Sequence, residues 1–205
     1  MLNINEKIKM IKNQNHLGGI CMILSVLFFS LMDVLIKVTN EYDVGQVMFS
    51  RAIFGLIPIF FLIPKEKFKD FYKTKHASLH FYRSFVGAIA MYAIFIGLRN
   101  LELAEVTSMA FSGPIWVVIF SILFLGEKVR ARRWIAVGLG FIGVLIISKP
   151  GFDNLNLYYI YPVIFTLGFA GVSIFIRKLT LAGEPVYLIA FYFSVCSAIF
   201  GLFTL

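Results

Sequence analysis

The chain has 205 residues, of which 60% are hydrophobic and 15% are charged, and its formal net charge is +8. Soluble domains are usually closer to half apolar and a quarter charged, so this composition excludes an ordinary soluble globular domain and favours a membrane protein. The positive charge does not indicate a nucleic-acid partner, because most basic residues lie in short loops between apolar runs, as the positive-inside rule predicts.

Seven apolar runs are typical of membrane-spanning helices, which need roughly 20 predominantly apolar residues. They lie at residues 17–38, 46–63, 79–98, 103–125, 134–148, 158–176 and 185–205. A polar arm, residues 1–16, precedes the first run, and we expect no cleavable signal peptide because that run is long enough to span. The pattern predicts an all-α integral membrane protein with about seven transmembrane helices.

The basic residues are distributed unequally between the two sides of these spans. Fifteen of the 19 Lys and Arg residues lie in the arm and in the loops after the second, fourth and sixth spans, with Arg83 counted in the first of these loops. The other four are Lys37, Arg51, Arg99 and Lys149. Since cytoplasmic loops carry the excess of positive charge, the count predicts a cytoplasmic N-terminus.

The fourth and fifth spans form a hairpin with a short basic loop at residues 127–133. Gly113 and Pro114 lie within the fourth span, where a proline removes one backbone hydrogen bond and kinks the helix. A bilayer tolerates this where neighbours or a cavity satisfy the freed carbonyl, so we predict a hinge or cavity wall there; the alternative is a static kink that only improves packing. Small residues in the fifth span predict close helix packing: Ala136, Gly138, Gly140 and Gly143.

Two segments of the chain share a weak similarity. Residues 28–55 and 165–201 each comprise an apolar span ending in a basic residue, an acidic turn and a phenylalanine-rich span. This predicts a first repeat of five spans, residues 17–150, and the first two spans of an inverted second repeat, residues 158–205. Inverted repeats are typical of secondary transporters, with the substrate site between them. We therefore expect a truncated form of a longer protein.

The fourth span and the segment after it resemble a known family of carriers. The residues that carry the resemblance are Ala104, Ser108 and Pro114, Leu-Gly-Glu-Lys at 125–128, Trp134, Lys149 and Pro150, with Arg51 and Arg83. They resemble the EamA-type branch of the drug/metabolite transporter superfamily, whose members are ten-helix carriers. Asp33, Val34 and Lys37, with the Arg83 region, look most similar to its S-adenosylmethionine uptake group. The resemblance implies a multi-pass transporter of the bacterial cytoplasmic (inner) membrane, of which this chain supplies about seven helices.

Three charged residues are predicted to lie inside spans. Asp33 and Lys37 are four residues apart on one face of the first span, with the acid N-terminal to the base, and Arg51 lies in the second span. A charge in the bilayer core costs roughly 2.5–3.5 kcal/mol on insertion scales, so such residues usually face a cavity or a partner. We predict that Asp33 and Arg51 bind a charged group of the substrate. The alternative is an internal ion pair, of Asp33 with Lys37 or Arg51, that only fixes packing.

Aromatic residues are abundant, with 23 Phe, and most are expected to be core or lipid-facing bulk. Tyr92 and Trp116 lie within spans and are candidates for binding a planar or cationic substrate through stacking and cation–π contact. The histidines have no spacing typical of a metal site, and no motif indicates a cofactor, so we expect neither.

These features favour a secondary transporter (permease) for a small polar or amphipathic metabolite, with S-adenosylmethionine uptake implied by the resemblance. ATP-driven transport is disfavoured because no Gly-Lys-Ser/Thr motif is present. Two alternatives stay open: a metabolite or amino-acid exporter of the same superfamily, and a lipid-handling protein such as a flippase subunit or lipid-modifying enzyme. An enzyme is disfavoured because Asp33 is the only acid deep in a span. Expected partners are the substrate and membrane lipids, and a homodimer is left open.

Overall fold

The computed structural model describes residues 4–68, 70–126, 129–148 and 157–205, and in these residues it contains α-helices, two short 3-10 turns and no strand. The helices are α1 Ile4–Val38, α2 Val44–Leu62, α3 Ala77–Asn100, α4 Leu103–Ala110, α5 Gly113–Leu125, α6 Ala131–Ser148, α7 Ile160–Leu181 and α8 Val186–Phe203. The all-α fold class is confirmed.

Six spans in the described part of the chain are long and apolar enough to cross a membrane, with α4 and α5 together forming one of them. Every predicted span coincides with a helix or with this pair. The fifth predicted span coincides with α6, which is not among the six. Arg132 and Arg133 occupy the first turn of α6, so its uninterrupted apolar stretch begins only at Trp134. The chain is a multi-pass membrane protein.

The chain divides into two compact units, Met1–Thr39 and Asn40–Leu205. The first unit is the single helix α1, which is apolar over His16–Val38 and includes most of the polar arm at its N-terminal end. In a helix the backbone N–H and C=O groups pair with one another. An apolar segment of this kind therefore forms a helix in lipid, where no water is present to bond these groups.

In the second unit, α3 is the central helix. It packs mainly against α7 and α8 and also contacts α2 and α4. In its most apolar 18-residue window 56% of residues are buried, against 22% to 28% for the other spans of this unit. Small residues bring α3 and α7 together, since a Cβ at Gly168 would lie 2.7 Å from the Cβ of Ala90 and one at Gly97 would lie 3.2 Å from Pro162.

The close packing expected of the glycines in α6 is wrong for the part of the chain that the structure describes. α6 packs against α4 and α5, but Ala136 is exposed, and a Cβ at Gly138, Gly140 or Gly143 would meet no described atom within 4 Å. Close approach occurs instead between α3 and α7 and between α2 and α8.

Some of the residues singled out in the sequence lie outside the described ranges. They are Glu127 and Lys128 of the basic loop, and Lys149 and Pro150 at the end of the fifth predicted span. The other basic residues of that loop, Arg130, Arg132 and Arg133, are exposed.

Candidate functional site

The fourth span is interrupted at the predicted position. α4 ends at Ala110, and α5 begins at Gly113 with Pro114 in its first turn. Pro114 has no backbone N–H to donate to the carbonyl of Ala110, so a continuous helix would lose a hydrogen bond here. The hydroxyl of Ser112 donates to the carbonyl of Met109 at 2.7 Å and helps satisfy the backbone at the break. The discontinuity is confirmed, whereas its role as a hinge or cavity wall stays a prediction.

The residues around this break differ in burial. Gly113 is buried, and a Cβ there would lie 3.3 Å from the Phe169 ring on α7. Pro114 is exposed, and Trp116, further along α5, is half-buried. Gly113 therefore allows α5 to pack closely on α7, while the Pro114 ring remains outside that contact.

Arg51 and Tyr92 lie within one group of three mutually packed helices, α2, α3 and α8. Arg51 on α2 is half-buried and donates from Nη1 to the sulfur of Met91 on α3. Tyr92, the next residue on α3, packs edge-to-face against Phe200 on α8, with ring centroids 5.6 Å apart. The structure thus places Arg51 against Met91, the residue that precedes Tyr92 on α3.

Asp33 belongs to the unit formed by α1, whereas the other predicted site residues belong to the second unit. Asp33 and Lys37 lie one turn apart on α1, and both are half-buried. The proposed roles of Asp33, in substrate binding or in an ion pair, remain predictions.

The most polar part of the buried core lies where α3 contacts α8. We call it the seam and define it by four side chains: His80, Arg83 and Ser84 on α3, and Ser197 on α8. Arg83 is 9% exposed and the other three at most 1%. Arg83, Ser84 and Ser197 have buried polar atoms with no hydrogen-bond partner among the described residues. A buried polar group without a hydrogen bond costs roughly 1–3 kcal/mol in proteins, so these three groups are a substantial destabilising feature.

Arg83 is the charged centre of the seam. Its guanidinium carbon lies 4.2 Å from the centre of the Phe193 ring on α8, a cation–π contact. Such contacts contribute about 0.5–2 kcal/mol. Among the described residues, Nε and Nη1 of Arg83 have no hydrogen-bond partner. The ring therefore compensates only part of the cost of burying this charge.

A second polar cluster, which we call the latch, joins the segment before α3 to the turn between α7 and α8. The hydroxyl of Thr74 donates to Oε1 of Glu184 at 2.5 Å, and Oε2 of Glu184 lies 3.6 Å from Nε2 of His80. The His80 ring packs on Tyr192, with centroids 4.7 Å apart, and the Tyr192 hydroxyl donates to the carbonyl of Tyr72 at 2.7 Å. The latch thus fixes the N-terminal end of α3 to α8.

Gly183 positions the carboxylate of the latch. Its φ of +81° is a left-handed conformation that residues with a side chain adopt only at a cost. The amide of Gly183 donates to the carbonyl of Thr180, and that of Glu184 donates to the carbonyl of Leu179, both at 3.0 Å. These bonds close α7 as a Schellman motif and place Glu184 against the start of α3.

A polar contact also lies near the opposite end of α3. The hydroxyl of Tyr159, in the turn that precedes α7, donates to Oε1 of Glu105 on α4 at 2.7 Å. α4 follows directly after α3 in the chain, and α7 packs along α3. Polar links therefore occur at both ends of the central helix.

The seam was not predicted from the sequence. The predicted third span, residues 79–98, includes His80 and Arg83, but Arg83 was considered only in the charge balance of the preceding loop and in the family resemblance. In the structure α3 begins at Ala77 and both residues are buried. A signal was present in the sequence: His80, Arg83, Ser84 and Gly87 follow the spacing i, i+3, i+4, i+7 of one helical face.

Curated relatives of this chain are named as transporters. It is 26% identical to the pseudopaline exporter CntI of Pseudomonas aeruginosa over 188 residues. This matched region covers 90% of this chain and 65% of that protein. It is 26% identical over 193 residues to the S-adenosylmethionine uptake transporter of Rickettsia prowazekii, covering 92% and 64%. The riboflavin transporter of Brucella anthropi is 29% identical over 119 residues, covering 58% and 42%.

The chain spans about two thirds of the length of the first two relatives. No solved structure matches it significantly. The EamA-like transporter family matches residues 16–149, which is more than half of the chain and includes the broken fourth span. The resemblance to EamA-type carriers is therefore confirmed, and the chain belongs to the EamA-like transporter family.

Proposed function

We propose that the protein is a secondary transporter that carries a small polar or amphipathic metabolite across the bacterial inner membrane, and that it is not an enzyme. The observation that carries this proposal is a cluster of buried polar side chains on α3, the central span of an EamA-family chain. Ionisable residues inside spans usually face a substrate pathway or a partner. The relatives named above, all transporters, support the same conclusion.

S-adenosylmethionine uptake is the specific activity we propose. This metabolite has a sulfonium and an ammonium cation, a carboxylate and a planar adenine ring. Asp33 and Arg51 would contact charged groups of the substrate, and Tyr92 or Trp116 would contact the ring. Two relatives covering most of this chain are named an uptake transporter and an exporter, so the direction of transport requires measurement.

We also propose the organisation that alternating access requires. Residues 17–150 would form the first repeat and residues 158–205 the start of an inverted second repeat, with a cytoplasmic N-terminus. The family match over residues 16–149 supports the extent of the first repeat. Gly113 and Pro114 would allow α5 to move relative to α4, because the helix is already interrupted there.

Liposome uptake tests this proposal. The protein is reconstituted, and accumulation of labelled S-adenosylmethionine is followed beside a panel that includes riboflavin, with protein-free liposomes as the control. The expected result is saturable accumulation of an unmodified metabolite, verified by mass spectrometry of the recovered compound. Chemical conversion of the metabolite or of the lipid would favour the enzyme alternative. Accumulation no greater than in protein-free liposomes, for every compound, would overturn the proposal.

A further inference from the structure

We propose that the seam binds the carboxylate of the transported substrate, with Arg83 as the residue that receives it. This inference rests on the proposed function, because it assigns a substrate group to a site within the same carrier. It adds Arg83, Ser84 and Ser197 to the predicted binding residues and specifies the chemical class of their ligand.

Arg83 combines one aromatic contact with donors that have no partner. The Phe193 ring centre lies 4.2 Å from the guanidinium carbon, within the range of a cation–π contact. The N–H groups lie in the plane of the guanidinium and point outward from its edges. Nε and Nη1 have no partner among the described residues. They lie on different edges, because the paired-donor edges of a guanidinium are Nε with Nη2 and Nη1 with Nη2, so each edge includes one unpartnered donor. Two parallel donors at one edge match the two oxygens of a carboxylate.

The ring beside Arg83 packs closely on α3. A Cβ at Gly87, one turn further along α3, would lie 2.9 Å from the Phe193 ring, so the glycine allows this close approach. Arg83 and Gly87, one turn apart on α3, thus both lie against the same Phe193 ring on α8. A guanidinium supported in this way is pre-organised for a ligand, because little conformational freedom remains to be lost on binding.

The hydroxyl groups of the seam behave differently from the other hydroxyls of the helices. Several Ser and Thr side chains donate to the carbonyl four residues earlier, which satisfies them inside the helix: Thr107, Ser108, Ser173, Thr180 and Thr204. Ser84 and Ser197 are buried, yet their hydroxyls have no partner in the described part of the chain. Ser84 is next to Arg83, and Ser197 is one turn after Phe193 on α8. In this proposal both hydroxyls serve as neutral donors to the anion.

The charges near the seam favour a monoanion. Arg83 is the one permanent cation of the seam among the described residues. His80 lies beside the Glu184 carboxylate, whose negative charge would repel a dianion more strongly than a monoanion. A carboxylate needs one cation and a few neutral donors, whereas a phosphate dianion needs more positive charge. Arg83 lies six residues into α3, about 9 Å along the helix from Ala77, so the site is within the span.

The stability of the ligand-free protein provides the first test. A buried cation that serves only a ligand can be replaced by an apolar residue without loss of stability. We expect Arg83→Met to melt at the same temperature as the unmodified protein or higher, in lipid nanodiscs, with Arg132→Met at an exposed position as the control. A melting temperature clearly lower than that of both would show that Arg83 is structural and would overturn the inference.

Ligand binding provides the second test, with two matched pairs of probes that differ in one carboxylate. They are S-adenosylmethionine with its decarboxylated form, and methionine with methioninamide. We expect at least one carboxylate-bearing probe, but not its partner, to raise the melting temperature, and Arg83→Met to abolish that shift. Arg83→Lys retains the charge but not the paired donors, and should weaken binding by about tenfold or more.

The remaining outcomes separate the two proposals. Equal shifts with both members of each pair, shifts that survive in Arg83→Met, no shift with any carboxylate, or a larger shift with inorganic phosphate would each overturn the carboxylate site. If the carboxylate binds through Arg83 but is not transported into liposomes, the site stands and the proposed transport function fails.

Discussion

Gly45 at the start of α2 and Gly201 near the end of α8 lie backbone against backbone. A Cβ at Gly201 would lie 2.8 Å from the carbonyl oxygen of Gly45, and a Cβ at Gly45 would lie 2.6 Å from the carbonyl oxygen of Gly201. Both residues are buried. Without a hydrophobic driving force between helices in lipid, such contact supplies the van der Waals packing that holds α2 to α8.

Replacing Gly201 with Ala should therefore separate α2 from α8. The added methyl group would meet backbone atoms that cannot rotate away, and overpacking of this kind costs about 1–3 kcal/mol. We expect a lower melting temperature for Gly201→Ala in detergent. Gly140→Ala is the matched control, because a Cβ there would meet no described atom within 4 Å. Equal melting temperatures for the two variants would contradict the contact.

The latch gives a prediction about the N-terminal end of α3. Thr74→Val removes the hydroxyl that donates to Glu184, and hydrogen bonds to charged groups contribute about 1.5–3 kcal/mol. We expect a measurable loss of stability, and a smaller one when Glu184→Gln is already present, since the two residues share one interaction. A double-mutant cycle of melting measurements checks this. Thr107→Val, which removes a hydroxyl bonded within its own helix, is the control; strictly additive effects would argue against the latch.

The spans and the break in the fourth span could be predicted from the sequence because each depends on local chemistry. A long apolar run in lipid has to form a helix, since its backbone groups find no other partners. Pro114 lacks an amide hydrogen in any surrounding, so the interruption near it follows from the residue itself. The bounds of α3 and of the α4–α5 pair accordingly differ from the predicted spans by two residues or fewer.

The contacts between helices could not be predicted in the same way, because they depend on which face meets which neighbour. Glycines in α6 and in α7 look alike in the sequence, yet Gly168 touches Ala90 whereas Gly140 meets no described atom. Arg83 lies within the predicted third span, but it was counted with the lysine-rich loop that it closely follows. Its burial is set by the start of α3 and by Phe193, which is distant in sequence.

Asp33 carries the prediction about the substrate pathway. Asp33→Asn keeps the shape of the side chain and removes its charge, so a residue that binds a cationic substrate group should lose its function. We expect uptake to be abolished while expression and membrane insertion stay intact. Glu41→Gln, at an exposed position, is the matched control and should transport normally. Normal uptake by Asp33→Asn would leave only the packing role for this residue.

Pro114 carries the prediction about movement. Pro114→Ala restores an amide hydrogen that can bond the carbonyl of Ala110, which favours a continuous helix across the break between α4 and α5. If this break is a hinge or cavity wall, the uptake rate should fall severalfold, while stability stays equal or rises. Changes at hinges often alter the maximal rate and the apparent affinity together.

Pro58→Ala is the control for this variant, because α2 continues through Pro58 without interruption. It tests whether removing any proline from a span slows transport. If Pro114→Ala lowers stability but not uptake, the kink serves packing alone. If uptake and stability are both unchanged, the break has neither role.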